Sequence, residues 1–435
     1  MSAEHPPIGI RSAEGAGSAA LAAPLASGER ILTLDVLRGI ALFGVLTANV
    51  WEWFSGLWFR HPAYREELLR LTADSVTHQL MAVLVSGKAV TTFSFLFGLG
   101  FAVQMLRAET RGASVVPVYA RRLTVLLLVG AGHAVFLWYG DILSLYALLG
   151  FALLFFRRRS DRTLIAWAVV LGFVLPVLPA VAHVVVSLFG AGTGAAPAMD
   201  PLARLRATSL AAFQSGSYAQ VVQANLRMTY FYYLGPFWTF TMYVFAMFLL
   251  GLYAGRRRVL QEVERHRAAF RRLVVWGLSL GLAGNVAESV LRTAFAPATR
   301  EARPWLGLLV EVLDYGATPL LAFGYIAAVT LLLRRADWRR RLAVFAPVGR
   351  MALTNYLAQT VICLAIFYSG GLVGRTGPAA GLLIALLIYA VQMAWSPWWL
   401  ARFHFGPMEW LWRSLTYGRP QPMRIRGTLA VPAPA

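Results

Sequence analysis

Residues 33–50 read TLDVLRGIALFGVLTANV and decide the fold class, because this run is apolar enough to cross a bilayer. Three polar side chains interrupt it: Asp35, Arg38 and Asn49. On a helix the three share one face, and Arg38 and Asn49 lie about 16 Å apart along the axis. A guanidinium at membrane depth has to be paired and to face protein or water, with Asp35 one turn away as the first partner. The pattern indicates either a functional cavity or a structural ion pair.

The composition identifies a polytopic membrane protein. Of 435 residues, 58% are hydrophobic and 14% are charged, and the mean hydropathy is +0.60, so the chain has too little polar surface for a soluble globule of this size. The formal charge of +20 would suit a nucleic-acid binder. The arginines lie instead in short blocks between apolar spans, which indicates membrane topology and no nucleic-acid partner. The single cysteine, Cys363, excludes an intrachain disulfide and a cysteine-based metal site.

Ten apolar segments predict an all-α bundle of about ten transmembrane helices. They cover residues 31–54, 78–106, 118–139, 142–156, 164–188, 230–254, 273–295, 305–333, 348–372 and 379–400, with a long loop over residues 190–227. Residues 1–28 are rich in Ala, Gly, Pro and Ser and are expected to form a disordered leader. Residues 29–400 then form the transmembrane domain, and residues 401–435 form a cytoplasmic amphipathic tail whose helix lies at the membrane interface.

The arginine asymmetry predicts the orientation of the bundle. The loops after even-numbered spans carry arginine blocks, which begin at Arg107, Arg157, Arg256 and Arg334. By the positive-inside rule these loops and both termini are cytoplasmic. The inner half of the membrane then holds Asp35, Arg38, Asn355 and Gln359, whereas the outer half holds Asn49, Lys88, His133, Glu288, Glu311 and Asp314, with Asp141 at the outer mouth. A polar cavity reachable from both sides is therefore expected.

Several motifs together resemble the YeiB family of bacterial inner-membrane proteins. They are TLDVLRGIALFGVLTAN from Thr33, the GK-x6-FLFGLG run from Gly87, GHAVFLWYGDILSLYALLG from Gly132, GRMALTNYLAQTVICLAIFYSGGL from Gly349 and GPMEWLWRSLT from Gly406. The motifs follow in the same order and span nearly the whole chain. This resemblance implies a multi-pass protein of the bacterial inner membrane, surrounded by membrane lipids, and it leaves a homodimer open.

The first-span pattern D-x-x-R-G-x-A also resembles heparan-alpha-glucosaminide N-acetyltransferase and, more distantly, the bacterial membrane O-acyltransferases that modify surface polysaccharides. This likeness implies a transmembrane acyltransferase-like bundle that uses cytoplasmic acyl-CoA, with acetyl-CoA as the first candidate, and a glycan, lipid or small-molecule acceptor. In the O-acyltransferases a histidine thought to be the base follows the arginine that matches Arg38 by eleven residues, where this chain has Asn49. The glucosaminide enzyme also has an asparagine there, and its histidine lies in the next loop, near the position of His61. Because an amide cannot take up a proton at neutral pH, Asn49 is expected to be an orienting donor, and the base has to be another residue.

His133 is the first candidate for the base that activates the acceptor, with His61 as the alternative. Histidine titrates near neutral pH, and His133 lies in the third span, eight residues before Asp141. In a straight helix these two side chains would be about 12 Å apart. A kink at Gly140, or a carboxylate of the eighth span such as Asp314, is therefore needed to orient the ring. The structural alternative is a buried neutral histidine bonded to a neighbouring helix.

The donor is expected to be held from the inner half of the bundle. Arg38, paired with Asp35, and Arg350 are expected to bind the phosphates of acyl-CoA. Asn355 and Gln359 are expected to line the cavity beside Arg38, with helix-to-helix hydrogen bonding as their alternative role.

The acceptor side is expected to include Lys88, His61 and Asp314. Lys88 would hold a phosphate or carboxylate of the substrate, or neutralise Asp141 or Glu288. The chain has no P-loop, dinucleotide fingerprint or zinc motif, so no metal cofactor is expected. A transporter or flippase that moves an anionic or lipid-like substrate through the same cavity is the alternative function.

Overall fold

The computed structural model describes residues 31–60, 72–110, 114–189, 201–235, 238–295, 299 and 302–425. This part of the chain is built of helices, without a β-strand. The expected leader and His61 lie outside the described residues. In chain order the helices are α1 (Leu32–Ala48), α2 (Thr72–Leu84), α3 (Lys88–Thr110), α4 (Val116–Gly132), α5 (Leu143–Phe156), α6 (Asp161–Val169), α7 (Leu175–Leu188), α8 (Pro201–Ser215), α9 (Tyr218–Leu234), α10 (Trp238–Arg256), α11 (Arg267–Ala294), α12 (Pro304–Leu332), α13 (Ala336–Leu342), α14 (Ala346–Arg350), α15 (Ala352–Cys363), α16 (Pro378–Leu400) and α17 (Pro407–Tyr417).

The prediction of an all-α polytopic membrane bundle is confirmed. Within the described residues nine helical segments are long and apolar enough to cross a membrane, and α5 is a further, shorter apolar helix. Helix α5 has 14 residues, so it is about 21 Å long and does not reach across a hydrocarbon core of about 30 Å by itself. The span is short because the residues just before α5 are not helical, beginning with Trp138, which is extended.

Glycines allow the spans to cross closely. Gly98 of α3 packs on the backbone carbonyl of Phe248 in α10, and Gly251 of α10 packs on that of Phe95 in α3. A methyl group at either glycine would collide with backbone atoms, which cannot turn aside as a side chain can. This is the small-residue packing that membrane helices use in place of a hydrophobic driving force.

A second close helix contact through glycines positions the turn of α1 that carries Asp35 and Arg38. Gly349 of α14 packs on the backbone carbonyl of Asp35 in α1, and Gly39 packs on the carbonyl of Phe345. Because there is no room for side chains between these segments, the turn that carries Asp35 and Arg38 lies directly against the short helix α14, which ends at Arg350.

The arginine blocks meet at one end of the molecule. Arg256, at the end of α10, donates to the carbonyl of Arg159 at 2.7 Å, and Arg257 forms an ion pair with Asp161 at 2.7 Å. Arg334, after α12, pairs with Glu264 at 3.0 Å. We call this the arginine-rich end of the bundle.

The part of the predicted loop after the fifth span that the structure describes is mainly helical. Residues 201–215 and 218–234 form α8 and α9, and a capping box of Ser217 and Gln220 begins α9. The aromatic residues 230–233 therefore belong to α9 and not to the beginning of the sixth span, which starts at Trp238. The ring of Tyr232 packs 5.6 Å from that of Trp53, so this part of the aromatic cluster serves packing within the protein.

The tail helix, which the sequence predicted to lie at the membrane interface, docks on the bundle. The carboxylate of Glu409 in α17 accepts hydrogen bonds from the backbone N–H groups of Leu353 at 2.7 Å and Thr354 at 3.1 Å. The indole of Trp412 donates to the carbonyl of Arg122 in α4 at 2.8 Å. Helix α17 is thus part of the arginine-rich end.

Candidate functional site

His133 is the centre of a buried polar network at the end of α4. Its Nδ1 atom lies 2.9 Å from Oδ1 of Asp141, and its Nε2 atom lies 2.9 Å from Oγ1 of Thr360 in α15. The side chains of His133 and Asp141 are 1% and 0% exposed. The structure therefore joins a hydroxyl, an imidazole and a carboxylate in one chain of hydrogen bonds inside the bundle.

A break in the backbone brings Asp141 to His133. Residues His133–Leu137 form a π-helical turn, and Trp138 is extended, with φ −155° and ψ 125°. The chain then turns back, and Asp141 accepts a 2.7 Å hydrogen bond from the N–H of Ser144 at the start of α5. The straight-helix separation of about 12 Å does not apply, and the carboxylate beside the ring comes from the chain reversal and not from Asp314.

Helix α9 stabilises this reversal. In a membrane interior, each carbonyl group that loses its helical partner has to be satisfied by another donor. The amide of Asn225 donates to the carbonyls of Val135 at 3.3 Å and Leu137 at 3.2 Å, and the hydroxyl of Tyr218 donates to that of Phe136 at 2.9 Å. The conformation beside His133 is therefore determined by a helix whose contacting residues lie 82 to 90 residues later in the chain.

The hydrogen-bond partners assign a direction to each bond of the network. The Asp141 carboxylate accepts from Ser144 and, as an acceptor, requires a donor at Nδ1 of His133. With a neutral ring, the lone pair of Nε2 then faces the hydroxyl of Thr360, which is the donor in this bond. A hydroxyl, an imidazole and an orienting carboxylate follow in this order in serine hydrolases of unrelated folds. Chemically, such a group can remove a proton from a hydroxyl or an amine.

Two further hydroxyl groups lie beside this network. Those of Tyr233 and Ser144 lie close to each other near Asp141, and within the described residues neither makes a hydrogen bond of acceptable geometry. Buried polar groups normally make hydrogen bonds, so these two hydroxyls are available for hydrogen bonds to a polar atom of a bound molecule. The ring of Tyr356 also packs 5.4 Å from that of His133.

Arginines from three helices converge at the arginine-rich end. Arg38 lies 3.4 Å from Asp35, and its side chain is 32% exposed. Arg122 of α4 stacks on the ring of Trp412 at 4.0 Å and lies within electrostatic range of Arg38 and of Arg413 in α17. We call Arg38, Arg122 and Arg413 the arginine cluster. Arg350 ends α14, which lies against Asp35.

Arg122, Arg413 and Thr360 are not among the site residues that the sequence predicted. In the sequence Arg122 belongs to an arginine block that indicates topology, yet it precedes His133 by eleven residues, as Arg38 precedes Asn49. Both α1 and α4 begin at the arginine-rich end, so in each helix the two side chains lie about 16 Å apart along the axis. This repeated spacing is a signal that the sequence offered. A threonine in an apolar span carries no comparable signal.

Asn49 borders the region of His133. It begins the π-helical turn Asn49–Phe54 that continues α1, and it is half-buried. The ring of Phe54 in this turn stacks on that of Trp138 at 4.4 Å, and Trp138 is part of the reversal after His133. Within the described residues the Asn49 amide makes no side-chain hydrogen bond.

Asn355 and Gln359 link α15 to α16. The Asn355 amide donates to the hydroxyl of Ser396 in α16 at 3.1 Å, and the Gln359 amide donates to Gln392 in α16 at 2.8 Å. Both residues are almost completely buried. Of the two roles that the sequence left open, the structure shows helix-to-helix hydrogen bonding.

Lys88 and Asp314 belong to a second polar group, formed by α3, α11 and α12. The ammonium group of Lys88 donates to the carbonyl of Ala82 at 3.0 Å, and its electrostatic partners are Asp314 and Glu288, not Asp141. Asp314 lies 3.4 Å from Arg292, which also contacts Glu288. Among the residues that the structure describes, no group of three or more His, Cys, Asp and Glu side chains could hold a metal ion.

Comparisons with known proteins identify the family. A family model described as a protein of unknown function, DUF418, matches residues 254–419, which include Thr360 and the tail helix. The chain is 37% identical to the uncharacterized protein YxaH of Bacillus subtilis (strain 168), over 92% of this chain and 97% of that protein. It is 28% identical to an uncharacterized 39.9 kDa protein of Bacillus acidopullulyticus, over 93% and 98%, and 26% identical to YeiB of Escherichia coli (strain K12), over 89% and 96%. No solved structure matches. The resemblance to the YeiB family that the motifs predicted is confirmed, and the chain belongs to the YeiB/DUF418 family.

Proposed function

We propose that this protein is a transmembrane acyltransferase that moves an acyl group from acyl-CoA to a hydroxyl or amine acceptor. The observation that carries the proposal is the imidazole of His133, which is buried and oriented by Asp141 at 2.9 Å. Acyl transfer to such an acceptor needs a group that removes a proton near neutral pH, and a histidine held by a carboxylate is the usual one.

The arginine cluster supports acyl-CoA as the donor. The guanidinium group of Arg122 is within electrostatic range of those of Arg413 and Arg38, and an anion bound among the three would offset their repulsion. The pyrophosphate and the 3′-phosphate of coenzyme A fit this requirement, because guanidinium groups bind phosphate oxygens through paired hydrogen bonds. The positive-inside rule places the arginine-rich end in the cytoplasm, and we propose the bacterial inner membrane as the location.

The two levels of the site match an elongated donor. Arg122 and His133 lie about 16 Å apart along α4. The phosphates would bind at the arginine cluster, while the pantetheine arm extends along α4 and brings the thioester towards His133. Nε2 of His133 accepts the proton of the attacking group, the carbonyl–sulfur bond breaks, and the departing thiolate takes up that proton to give free coenzyme A.

The purified protein, reconstituted in liposomes of bacterial lipids, tests the proposal. Radiolabelled acetyl-CoA and longer acyl-CoAs are added from either side, and release of free coenzyme A and label in the lipid and glycan fractions are measured. We expect release in the wild type and a loss of about 10² to 10⁴ in His133→Asn. His183→Asn, at an exposed position in α7, is the matched control. If no acyl-CoA binds or turns over, the proposal is wrong.

A transporter is the second candidate, and the Lys88 group favours it. Buried ionisable residues in a bundle interior often form proton or ion pathways, and Lys88 lies in the electrostatic range of Glu288 and Asp314. This alternative predicts that Lys88→Met abolishes uptake of an anionic substrate driven by a proton gradient, while acyl-CoA is neither bound nor consumed. Loss of acyl-CoA turnover in His133→Asn would instead support the enzyme.

A further inference from the structure

We propose that Thr360 is a covalent nucleophile, which takes the acyl group from the donor before the acceptor receives it. The inference rests on the proposed function and deepens it, because it turns a direct transfer into two successive transfers. Its starting point is the 2.9 Å hydrogen bond between Oγ1 of Thr360 and Nε2 of His133.

Nε2 is the atom at which His133 can accept a proton, since Asp141 engages the other ring nitrogen. In the structure this position is filled by Thr360, whose side chain is buried. An acceptor could reach Nε2 only after displacing the threonine hydroxyl. The group that His133 is placed to deprotonate is therefore Thr360 itself, in the arrangement of an activated nucleophile, its base and the orienting acid.

The orientation of the Thr360 hydroxyl differs from that of other threonines in the bundle. A threonine in a membrane helix commonly donates to the carbonyl four residues earlier. The corresponding distances are 2.6 Å for Thr91, 2.9 Å for Thr92 and 2.7 Å for Thr330. For Thr360 the oxygen lies 3.5 Å from the carbonyl of Tyr356. This backbone contact is weak by comparison, and the hydroxyl is directed to His133.

The position of Thr360 along α15 suits the donor. Helix α15 begins at Ala352, beside the tail helix at the arginine-rich end. Thr360 follows eight residues later, so it lies about 12 Å deeper along the helix axis. This is the level of His133 at the end of α4, where an arm anchored by its phosphates would present its thioester. The unsatisfied hydroxyls of Tyr233 and Ser144 provide donors near the same network.

The two transfers balance in atoms and charge. Oγ1 of Thr360 attacks the thioester carbonyl, its proton moves to Nε2, and the carbon–sulfur bond breaks. The thiolate takes the proton from His133 and leaves as free coenzyme A, and Thr360 carries the acyl group as an ester. His133 then deprotonates the acceptor, which attacks the ester carbonyl, and the proton returns to Oγ1 as Thr360 leaves.

Exchange between coenzyme A and acetyl-CoA tests this mechanism without knowledge of the acceptor. A covalent intermediate allows radiolabelled free coenzyme A to be incorporated into acetyl-CoA with no acceptor present. We expect this exchange in the wild type, together with an acetyl group on the peptide that contains Thr360 after rapid quenching. Thr360→Val, which keeps the shape and removes the hydroxyl, should lose at least about 100-fold in exchange. Thr360→Ser should retain exchange, since it retains the hydroxyl.

Thr330→Val is the matched control, because Thr330 is equally buried and its hydroxyl bonds only within α12. A variant is folded if its acetyl-CoA binding and its melting temperature equal those of the wild type. If Thr360→Val does not fold, the acetyl adduct on Thr360 in the wild type decides whether a covalent intermediate forms. Turnover of acetyl-CoA without exchange or adduct, and with normal rates in Thr360→Val, would overturn the inference and leave the proposed function intact. If the wild type neither binds nor consumes acyl-CoA, both fail.

Discussion

The carboxylate of Glu409 accepts hydrogen bonds from the backbone N–H and from the hydroxyl of Thr354, at 3.1 Å and 2.5 Å, across 55 residues of sequence. A carboxylate at a helix N-terminus satisfies free N–H groups and interacts favourably with the helix dipole. Since α15 carries Thr360, the docked tail contributes to the position of the candidate site.

Glu409→Ala should destabilise the protein. The substitution leaves the N–H groups of Leu353 and Thr354 without their acceptor, which costs about 1–3 kcal/mol for a buried group. The melting temperature of the detergent-solubilised protein measures the effect. Asp337→Ala is the control, since that side chain is 78% exposed. Equal melting temperatures for the two variants would contradict the capping role.

The same residue predicts a pH dependence of stability. Burial raises the pKa of the Glu409 carboxyl above its ordinary value, and hydrogen bonds from Thr354 and Leu353 partly oppose this shift. The folded protein therefore binds the proton of the Glu409 carboxyl more tightly than the unfolded protein does. This proton binding contributes its full stabilisation of the fold below the ordinary carboxyl pKa, and the contribution is lost as the pH rises through the raised pKa.

The melting temperature of the wild type relative to Glu409→Gln should therefore fall as the pH rises from about 4 to about 7. Glutamine keeps an acceptor for the N–H groups but does not titrate. A difference that stays constant over this range, or that grows with pH, would show that burial does not dominate at Glu409.

Asp141→Asn should lower kcat by about 10² to 10⁴ and leave acyl-CoA binding unchanged. Asparagine retains the size of the side chain but no longer favours the proton at Nδ1 of His133, so the ring loses the form in which Nε2 is basic. Turnover of acyl-CoA and its dissociation constant are measured on the same preparation. Normal turnover would show that the ring does not need Asp141.

Arg38→Gln should weaken acyl-CoA binding by about ten- to a hundredfold, because hydrogen bonds to charged groups contribute about 1.5–3 kcal/mol. Calorimetric titration with acetyl-CoA and with the dephospho form, which lacks the 3′-phosphate, separates the contributions of the phosphates. Arg340→Gln is the control, since its side chain is 81% exposed. If Arg38→Gln binds acetyl-CoA with unchanged affinity, the phosphates of acyl-CoA do not bind at Arg38.

The orientation is tested with single cysteines. In a Cys363→Ala background, Arg265→Cys lies at the arginine-rich end, and Tyr218→Cys lies at the opposite end, beside the reversal after α4. In intact cells an impermeant thiol reagent should label the cysteine at position 218 and not that at position 265. The converse labelling would reverse the membrane orientation and the side from which the donor binds.

The sequence alone determined the membrane class, the helical type of the spans and the polar residues at membrane depth. These follow from local properties, since a segment in lipid has to satisfy its own backbone hydrogen bonds and therefore reveals itself by a continuous apolar run. His133 and Arg38 were recognisable for the same reason: a polar side chain within such a run requires a partner.

The partners themselves were decided by the tertiary structure. Thr360 lies 227 residues from His133, and the turn that brings Asp141 back to the ring depends on Asn225 and Tyr218 of α9. In apolar helices nearly every face can be buried, so periodicity does not indicate which faces meet. The contacts at Gly98, Gly349 and Glu409 select those faces, and with them the side chains that surround His133.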